Sequence, residues 1–224
     1  MKTQVISDTD SLTGLLTRRR FDEELKKALE KAKNGEGTLS LAFLDIDHFK
    51  TINDTYGHST GDAVIQNVVA HVRQTLGAST LLGRYGGEEF AVLLPGVERE
   101  QALLTLERAR LEVEKPQPFL SGKKKVELTV TVSGGIAAFP LDGRTDNEMV
   151  RKADQALYRA KATGRNKICL AQEERMVTKT THYPQTQLER LAKLAQKEGL
   201  GEAVLLREAL DDLLLKYGVS EVES

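Results

Sequence analysis

The chain has 224 residues, 40% of them hydrophobic, and a formal net charge of −1, which is enough apolar material for a real core and more chain than a typical single domain needs. So slight a charge supplies no global pull toward nucleic acid or anionic lipid. No apolar run approaches the length that spans a bilayer, and the polar start Met1-Lys2-Thr3-Gln4 has no signal-peptide core, so a cytoplasmic protein is expected. The single cysteine, Cys169, has no partner for an internal disulfide and no Cys or His neighbours at metal spacing, and it reads as a small buried apolar residue.

In chain order, Phe21, Leu25, Ala28, Leu29 and Ala32 recur at helical spacing, and Asn34-Gly35-Glu36-Gly37 closes that helix. Leu39 to Leu44 then reads as a buried strand ending in Asp45-Ile46-Asp47-His48-Phe49-Lys50. A second helical stripe, Val64, Ile65, Val68, Val69, Val72 and Leu76, is expected to start after a turn at Ser59-Thr60-Gly61. Thr80-Leu81-Leu82 and Ala91 to Leu94 flank Arg84-Tyr85-Gly86-Gly87-Glu88-Glu89-Phe90 as two strands around a glycine turn. Leu103, Leu106, Ala109 and Val113 suggest a third helix, Val126 to Val132 alternate as a half-buried strand, and Met149, Val150, Ala153, Leu157 and Ala160 mark a fourth helix. Strands interleaved with helices predict an α/β or α+β sandwich.

The hairpin alone reads as an acidic turn facing water. Together with Asp45 at a strand end it offers two acidic groups that can share a hard divalent cation and leave positions open for phosphate oxygens. Asp47, two residues on, reads as a second metal group, a supporting group or a cap; His48 is expected to face solvent and His71 to be structural.

From about Asp10 to Lys167 the chain resembles the diguanylate cyclase (GGDEF) family. The resemblance rests on Asp10-Ser-Leu-Thr-Gly-Leu-Leu-Thr-Arg-Arg-Arg-Phe21, Asp45 to Lys50, Ile52-Asn-Asp54, Gly57-His58, Gly61-Asp62, Arg84 to Phe90, Thr131 to Ile136, and Ala153 to Lys161 followed by Gly164-Arg-Asn166, all in the family's order and spacing. It implies a palm-like nucleotide-cyclase fold over residues 8–170, with a central mixed sheet surrounded by helices. It also implies that two GTP are condensed into cyclic di-GMP and two pyrophosphate, with one GTP on each subunit of a dimer. On that resemblance Asp45, the carbonyl of Ile46 and Glu88 are ligands of Mg²⁺ or Mn²⁺, and Glu88, with Glu89 sharing the role, accepts the hydroxyl proton. Asn53 and Asp62 read guanine, with His58 along the same wall; Phe49, Gly86 and Gly87 complete the substrate surface. Lys50, Lys161 and Arg165 contact phosphate, Lys50 also stabilising developing negative charge. Each of these basic residues has a second reading as a solvated surface charge.

Two departures from the family stand out. Where many members carry Arg-x-x-Asp as an inhibitory product site, this chain has Gly77-Ala78-Ser79-Thr80, so product inhibition through that site is expected to be absent. The family also usually places a sensor or phosphoacceptor domain ahead of the catalytic one, whereas this sequence starts almost at the Asp10 motif, so regulation is expected to come from the tail or a separate partner.

Beyond Leu170 the pattern changes. Val177 to Tyr183 reads as a short strand stopped by Pro184, followed by helical stripes at Leu188 to Ala195 and Leu206 to Leu214. A strand and two helices in roughly 40 residues cannot bury these faces alone, so residues 176–218 are expected to form an obligate dimer unit. That unit resembles the ribbon-helix-helix family, which would aim Thr178, Thr180 and His182 at DNA; a helical hairpin packed on the catalytic domain is the competing reading. The excess of acidic over basic residues in this tail speaks against DNA. A transcription regulator with a nucleotide-sensing, non-catalytic domain is the alternative function. The retained acidic and basic set disfavours it, since a sensor has no need of metal ligands.

Overall fold

The protein is described by a computed structural model covering residues 7–77, 79–171, 181–198 and 201–217. The chain divides into two compact units, Met1–Glu174 and Arg175–Ser224. Among the described residues no helix is long and apolar enough to cross a membrane.

The first unit runs β1 (Leu16–Thr17), α1 (Arg18–Lys33), β2 (Leu39–Ile46), α2 (Phe49–Tyr56), α3 (His58–Thr75), β3 (Leu81–Arg84), β4 (Glu89–Pro95), α4 (Arg99–Val113), β5 (Gln117–Ser121), β6 (Lys124–Leu128), β7 (Val132–Phe139), α5 (Asp146–Ala162) and β8 (Ile168–Leu170). Six strands form one mixed sheet in the order β1-β3-β4-β2-β7-β8, with β2 antiparallel to both β4 and β7. Its outer pairs, β1 with β3 and β7 with β8, are parallel. This is the α/β architecture with a central mixed sheet that the sequence predicts.

β2 is buried at all eight positions because helices cover both faces of the sheet. Ala42, Leu44 and Ile46 pack into one core with Val64, Ile65 and Val68 of α3 and Leu106 of α4. Leu39, Leu41 and Phe43 pack into the other with Phe21 and Leu25 of α1 and Met149, Ala153 and Leu157 of α5. On that second face α5 lies directly against the backbone of β7. A Cβ added at Gly135 would fall 2.1 Å from the Leu157 nitrogen and 2.2 Å from the Ala153 carbonyl, so only glycine admits the helix at this distance. The start of α5 is set by a capping box, in which the Thr145 hydroxyl accepts the Glu148 N–H and the Glu148 carboxylate accepts the N–H groups of Arg144 and Thr145. Those bonds, that from Arg144 first, hold the Glu148 carboxyl below its ordinary range.

Three elements differ from the sequence expectation. The turn before α3 lies at Gly57 (φ 86°), and Ser59, Thr60 and Gly61 are already helical. Gly61 serves close packing rather than a bend, since a Cβ there would sit 2.0 Å from Asn53 Oδ1 and 3.2 Å from the Phe49 ring. The short helix α2 stands apart from α3, and the alternating run at Val126 to Val132 is divided between β6 and β7. β6 instead pairs with β5 in a separate two-stranded ribbon, while Thr131 turns its hydroxyl to the Asp47 carboxylate.

The second unit contains α6 (Gln185–Glu198) and α7 (Glu202–Lys216). Thr178, Thr180 and most of the expected strand fall outside the described residues; Thr181 to Pro184 form no strand and His182 is exposed. Among the described residues of this unit Ala195 alone is buried, while Leu188, Leu194, Leu210 and Leu213 are each at least 42% exposed.

Candidate active site

The sheet register builds the acidic centre. β2 and β4 pair Asp45 with Glu89, and the Ile46 N–H donates to the Glu88 carbonyl at 3.3 Å, so the hairpin turn is tied to the end of the buried strand. Asp45 is 6% exposed. Its Oδ2 lies 2.8 Å from Lys161 Nζ, an ion pair that the close seating of α5 on Gly135 makes possible. Burial raises the Asp45 carboxyl above its ordinary range despite the opposing pull of Lys161, and the Asp47 charge adds to the rise. Glu88 is raised as well, first by burial and then by the charges of Asp45 and Glu89.

Among the described residues no group of three or more His, Cys, Asp or Glu side chains gathers in a metal-holding cluster. The donor chemistry nevertheless fits a hard divalent cation. Two mutually repelling carboxyls, partly withdrawn from water, are relieved by a positive charge, and oxygen donors suit Mg²⁺ or Mn²⁺.

Asp47 is a bonding hub. It is 4% exposed and accepts hydrogen bonds from Ser133 Oγ at 2.7 Å, Thr131 Oγ1 at 2.8 Å and the Asn166 N–H at 3.0 Å. His48 adopts the left-handed conformation (φ 57°) and is exposed, as expected of a solvent-facing residue. The chain then enters α2 with Phe49 buried and Lys50 exposed. Asn53 of α2 meets Gly61 of α3, and its Oδ1 is buried without a hydrogen-bond partner among the described residues. His58 and Asp62 are exposed on the first turns of α3. On the hairpin Gly87 is exposed and Gly86 half-buried; Arg165 is exposed in the turn that follows α5.

The sequence reading gave no role to the brace beneath the hairpin. Arg84 donates to both oxygens of Asp10, at 3.1 and 3.2 Å, and through Nε and Nη2 to the Gly87 carbonyl. Asp10 also accepts from the Thr13 N–H and hydroxyl, so the amino-terminal turn is locked to the glycine pair. Arg84 and Asp10 each open one of the sequence motifs, which was the available signal. Tyr85, next in the chain, donates to Asp22 at 2.7 Å and carries the Arg18 guanidinium 4.5 Å above its ring.

With this geometry in place, the family described as "Diguanylate cyclase, GGDEF domain" matches residues 7–167. The chain belongs to this family. It is 39% identical over 160 residues to the response regulator PleD of Caulobacter vibrioides, covering 71% of this chain and 35% of that protein. It is 42% identical over 164 residues to the diguanylate cyclase DgcP of Pseudomonas aeruginosa, covering 73% of this chain and 24% of that protein. The chain therefore spans less than half the length of these curated relatives. Among solved structures, the GGDEF domain of DgcB from Caulobacter crescentus, in complex with c-di-GMP, is similar with a TM-score of 0.69 and 38% identity, covering 77% of this chain and 98% of that one. The active GGEEF domain of a diguanylate cyclase from Vibrio cholerae gives a TM-score of 0.65 and 30% identity, covering 71% and 99%.

A carboxyl whose folded pKa lies above its unfolded value opposes folding at high pH, and that opposition vanishes as pH falls through the folded pKa. Glu88→Gln removes the charge and keeps the shape. The metal-free variant should therefore melt at a higher temperature than the parent at pH 8, with the difference closing as pH is lowered into the carboxylate range. A lower melting temperature at pH 8, read by calorimetry, would show that Glu88 is not held under repulsion.

Proposed function

We propose that residues 8–170 form a diguanylate cyclase domain that condenses two GTP into cyclic di-GMP and two pyrophosphate, one GTP on each of two facing subunits. The observation that carries this reading is the meeting of Asp45, Glu88 and Lys161 at the end of β2, two carboxyls raised by burial beside an ammonium. Membership of the diguanylate cyclase family supports it. Asp45, the Ile46 carbonyl and Glu88 would hold Mg²⁺ or Mn²⁺, which supplies neutralisation of the triphosphate and of the departing pyrophosphate.

Lys161 and Arg165 bind phosphate oxygens, and Lys50 steadies the charge that develops at the α-phosphate. Glu88, with Glu89 sharing the role, takes the proton of the attacking 3′-hydroxyl. Because a bound cation lowers the basicity of a carboxylate that holds it, Glu89, which does not hold the metal, is the alternative acceptor of that proton. A 3′-oxygen–phosphorus bond forms as the bond from the α-phosphorus to pyrophosphate breaks, once on each nucleotide. Asp62 accepts from guanine N1 and the exocyclic amine, a donor pair that adenine lacks, and Asn53 stands beside it across the Gly61 contact. Burying an acceptor unpaired costs about 1–3 kcal/mol, and the Asn53 Oδ1 atom, buried without a partner among the described residues, supports a hydrogen-bonding role for this side chain toward the nucleotide. His58, Gly86 and Gly87 would complete the nucleotide-binding surface, with Phe49 buried beneath Gly61 as its support.

The pure protein incubated with GTP and Mg²⁺ should yield cyclic di-GMP by mass spectrometry, with ATP a poor substrate. Asp62→Ala should reduce the preference for GTP by about tenfold to a hundredfold, as expected for a lost hydrogen bond to a charged acceptor. Equal use of GTP and ATP by the parent protein would remove Asp62 from base selection.

For the tail, we infer that residues 176–218 dimerise the chain. α6 and α7 present Leu188, Leu194, Leu206, Leu210 and Leu213 to the outside, and so small a unit completes its core by pairing with a second copy. Pairing would raise the effective concentration of the two half-sites to the millimolar range, about 1 mM for short flexible links. A chain ending at Leu170 should sediment as a monomer, with specific activity rising with protein concentration, while the full chain should be dimeric and nearly concentration-independent. Equal dimerisation and turnover by the two forms would rule out this role for the tail.

A further inference from the structure

α5 leaves its last turn through three successive left-handed residues, Gly164 (φ 110°), Arg165 (φ 60°) and Asn166 (φ 47°). For a residue with a Cβ this conformation costs about 1–2 kcal/mol, and Asn bears it better than most because its short amide can bond locally. Here the amide is engaged by another helix instead. Asn166 Oδ1 accepts from Arg110 Nη1 at 2.6 Å, and Asn166 Nδ2 donates to Glu114 Oε1 at 2.8 Å. Arg110 is 9% exposed and is itself held by Glu107 Oε2 at 2.7 Å and Glu114 Oε2 at 2.8 Å. The second oxygen of Glu107 accepts the Ile168 N–H at 2.8 Å. One face of α4 thus grips the turn at 166–168 through three side chains. A buried guanidinium is tolerable only when paired in this way, and a connected network of this kind favours one arrangement of its side chains.

The backbone of the same asparagine faces the acidic centre. Its N–H donates to Asp47 Oδ2, and Asp47 follows Asp45 and Ile46 directly in the chain. Arg165 precedes Asn166. A single residue therefore joins the strand end that carries Asp45 to the turn that carries Arg165, and it anchors both to α4.

We propose that Asn166 is a positioning residue, clasped by Arg110 and Glu114, that sets the spacing between the Asp45–Ile46 strand end and Arg165 across which one nucleotide triphosphate is held. The identity of that ligand rests on the cyclase reading; the clasp itself does not. Asn166 needs no contact with the reacting atoms, and its effect passes through Asp47 and Arg165.

The test uses the full-length protein and three variants. Asn166→Gly keeps the left-handed backbone and the N–H to Asp47 but deletes the amide. Asn166→Asp sets a carboxylate against Glu114, and Asn166→Asp combined with Glu114→Gln swaps donor and acceptor and restores the pair. Readouts are melting temperature, Mn²⁺ affinity of the nucleotide-free protein by electron paramagnetic resonance, affinity for a non-hydrolysable GTP analogue by calorimetry, and kcat with KM. Asn166→Gly and Asn166→Asp should each lose about tenfold or more in Mn²⁺ and analogue affinity, the scale seen when groups supporting metal ligands are removed. The double variant should regain most of it. Parent-like affinities in Asn166→Gly, or a double variant no better than Asn166→Asp, would overturn the proposal. Should Asn166→Gly fail to fold, the comparison of single and double variants decides alone. If the parent neither binds the analogue nor makes cyclic di-GMP, the cyclase reading falls, and Mn²⁺ affinity across the variants still decides the clasp.

Discussion

The site depends on where β2 ends. A strand buried along its whole length delivers Asp45 to the edge of two apolar cores, where its carboxylate is stripped of most of its water and is compensated by the Lys161 ammonium at 2.8 Å. Burying a charge is unfavourable unless it is paired, so the placement of α5 on β7 and the placement of β2 in the sheet have to agree. Gly135 reconciles them: without a Cβ at that point, Ala153 and Leu157 reach the strand backbone and Lys161, farther along the helix, reaches Asp45.

Two polar braces then hold the pieces that the sheet alone leaves free. Arg84 ties the glycine hairpin to the Asp10 turn, and Asp47 ties the end of β2 to β7 and to the turn after α5. Both tie down segments with little restraint of their own, since Gly86 and Gly87 impose little conformational restraint and Arg165 lies in an exposed turn. Lys50, His58, Asp62 and Arg165 are exposed, whereas Asp45 is buried and Glu88 half-buried.

Much of this was legible in the sequence because the apolar spacing of α1, α4 and α5 and the flanks of the Gly86-Gly87 turn follow their elements closely. The helix α2 was not seen as separate, since Phe49 to Tyr56 is too short to show a period and its boundary rests on one glycine, Gly57. Ser59-Thr60-Gly61 resembles a turn by composition, yet Thr60 donates to the Tyr56 and Leu120 carbonyls and Gly61 packs on Asn53, so tertiary contacts override the local preference. β6 was legible in part from Val126 and Leu128, but its pairing with β5 was not, because β5 buries only Phe119 among its five residues. For the site, the residue types and their order marked Asp45, Glu88 and Lys161, whereas the alternatives for Asp47 could be resolved only by seeing which hydroxyls and which N–H it meets, all of them more than 80 residues away. The tail's leucine stripes were legible as helices, and α6 and α7 are present; the strand before them falls mostly outside the described residues.

The most direct test of the account is anomalous diffraction from crystals of the protein grown with Mn²⁺ and a non-hydrolysable GTP analogue. A manganese peak is expected between Asp45 and Glu88, with Lys161 drawn from Asp45 onto a phosphate oxygen and guanine against Asn53 and Asp62. A peak remote from these carboxylates, with the Asp45–Lys161 pair intact beside bound nucleotide, would contradict it.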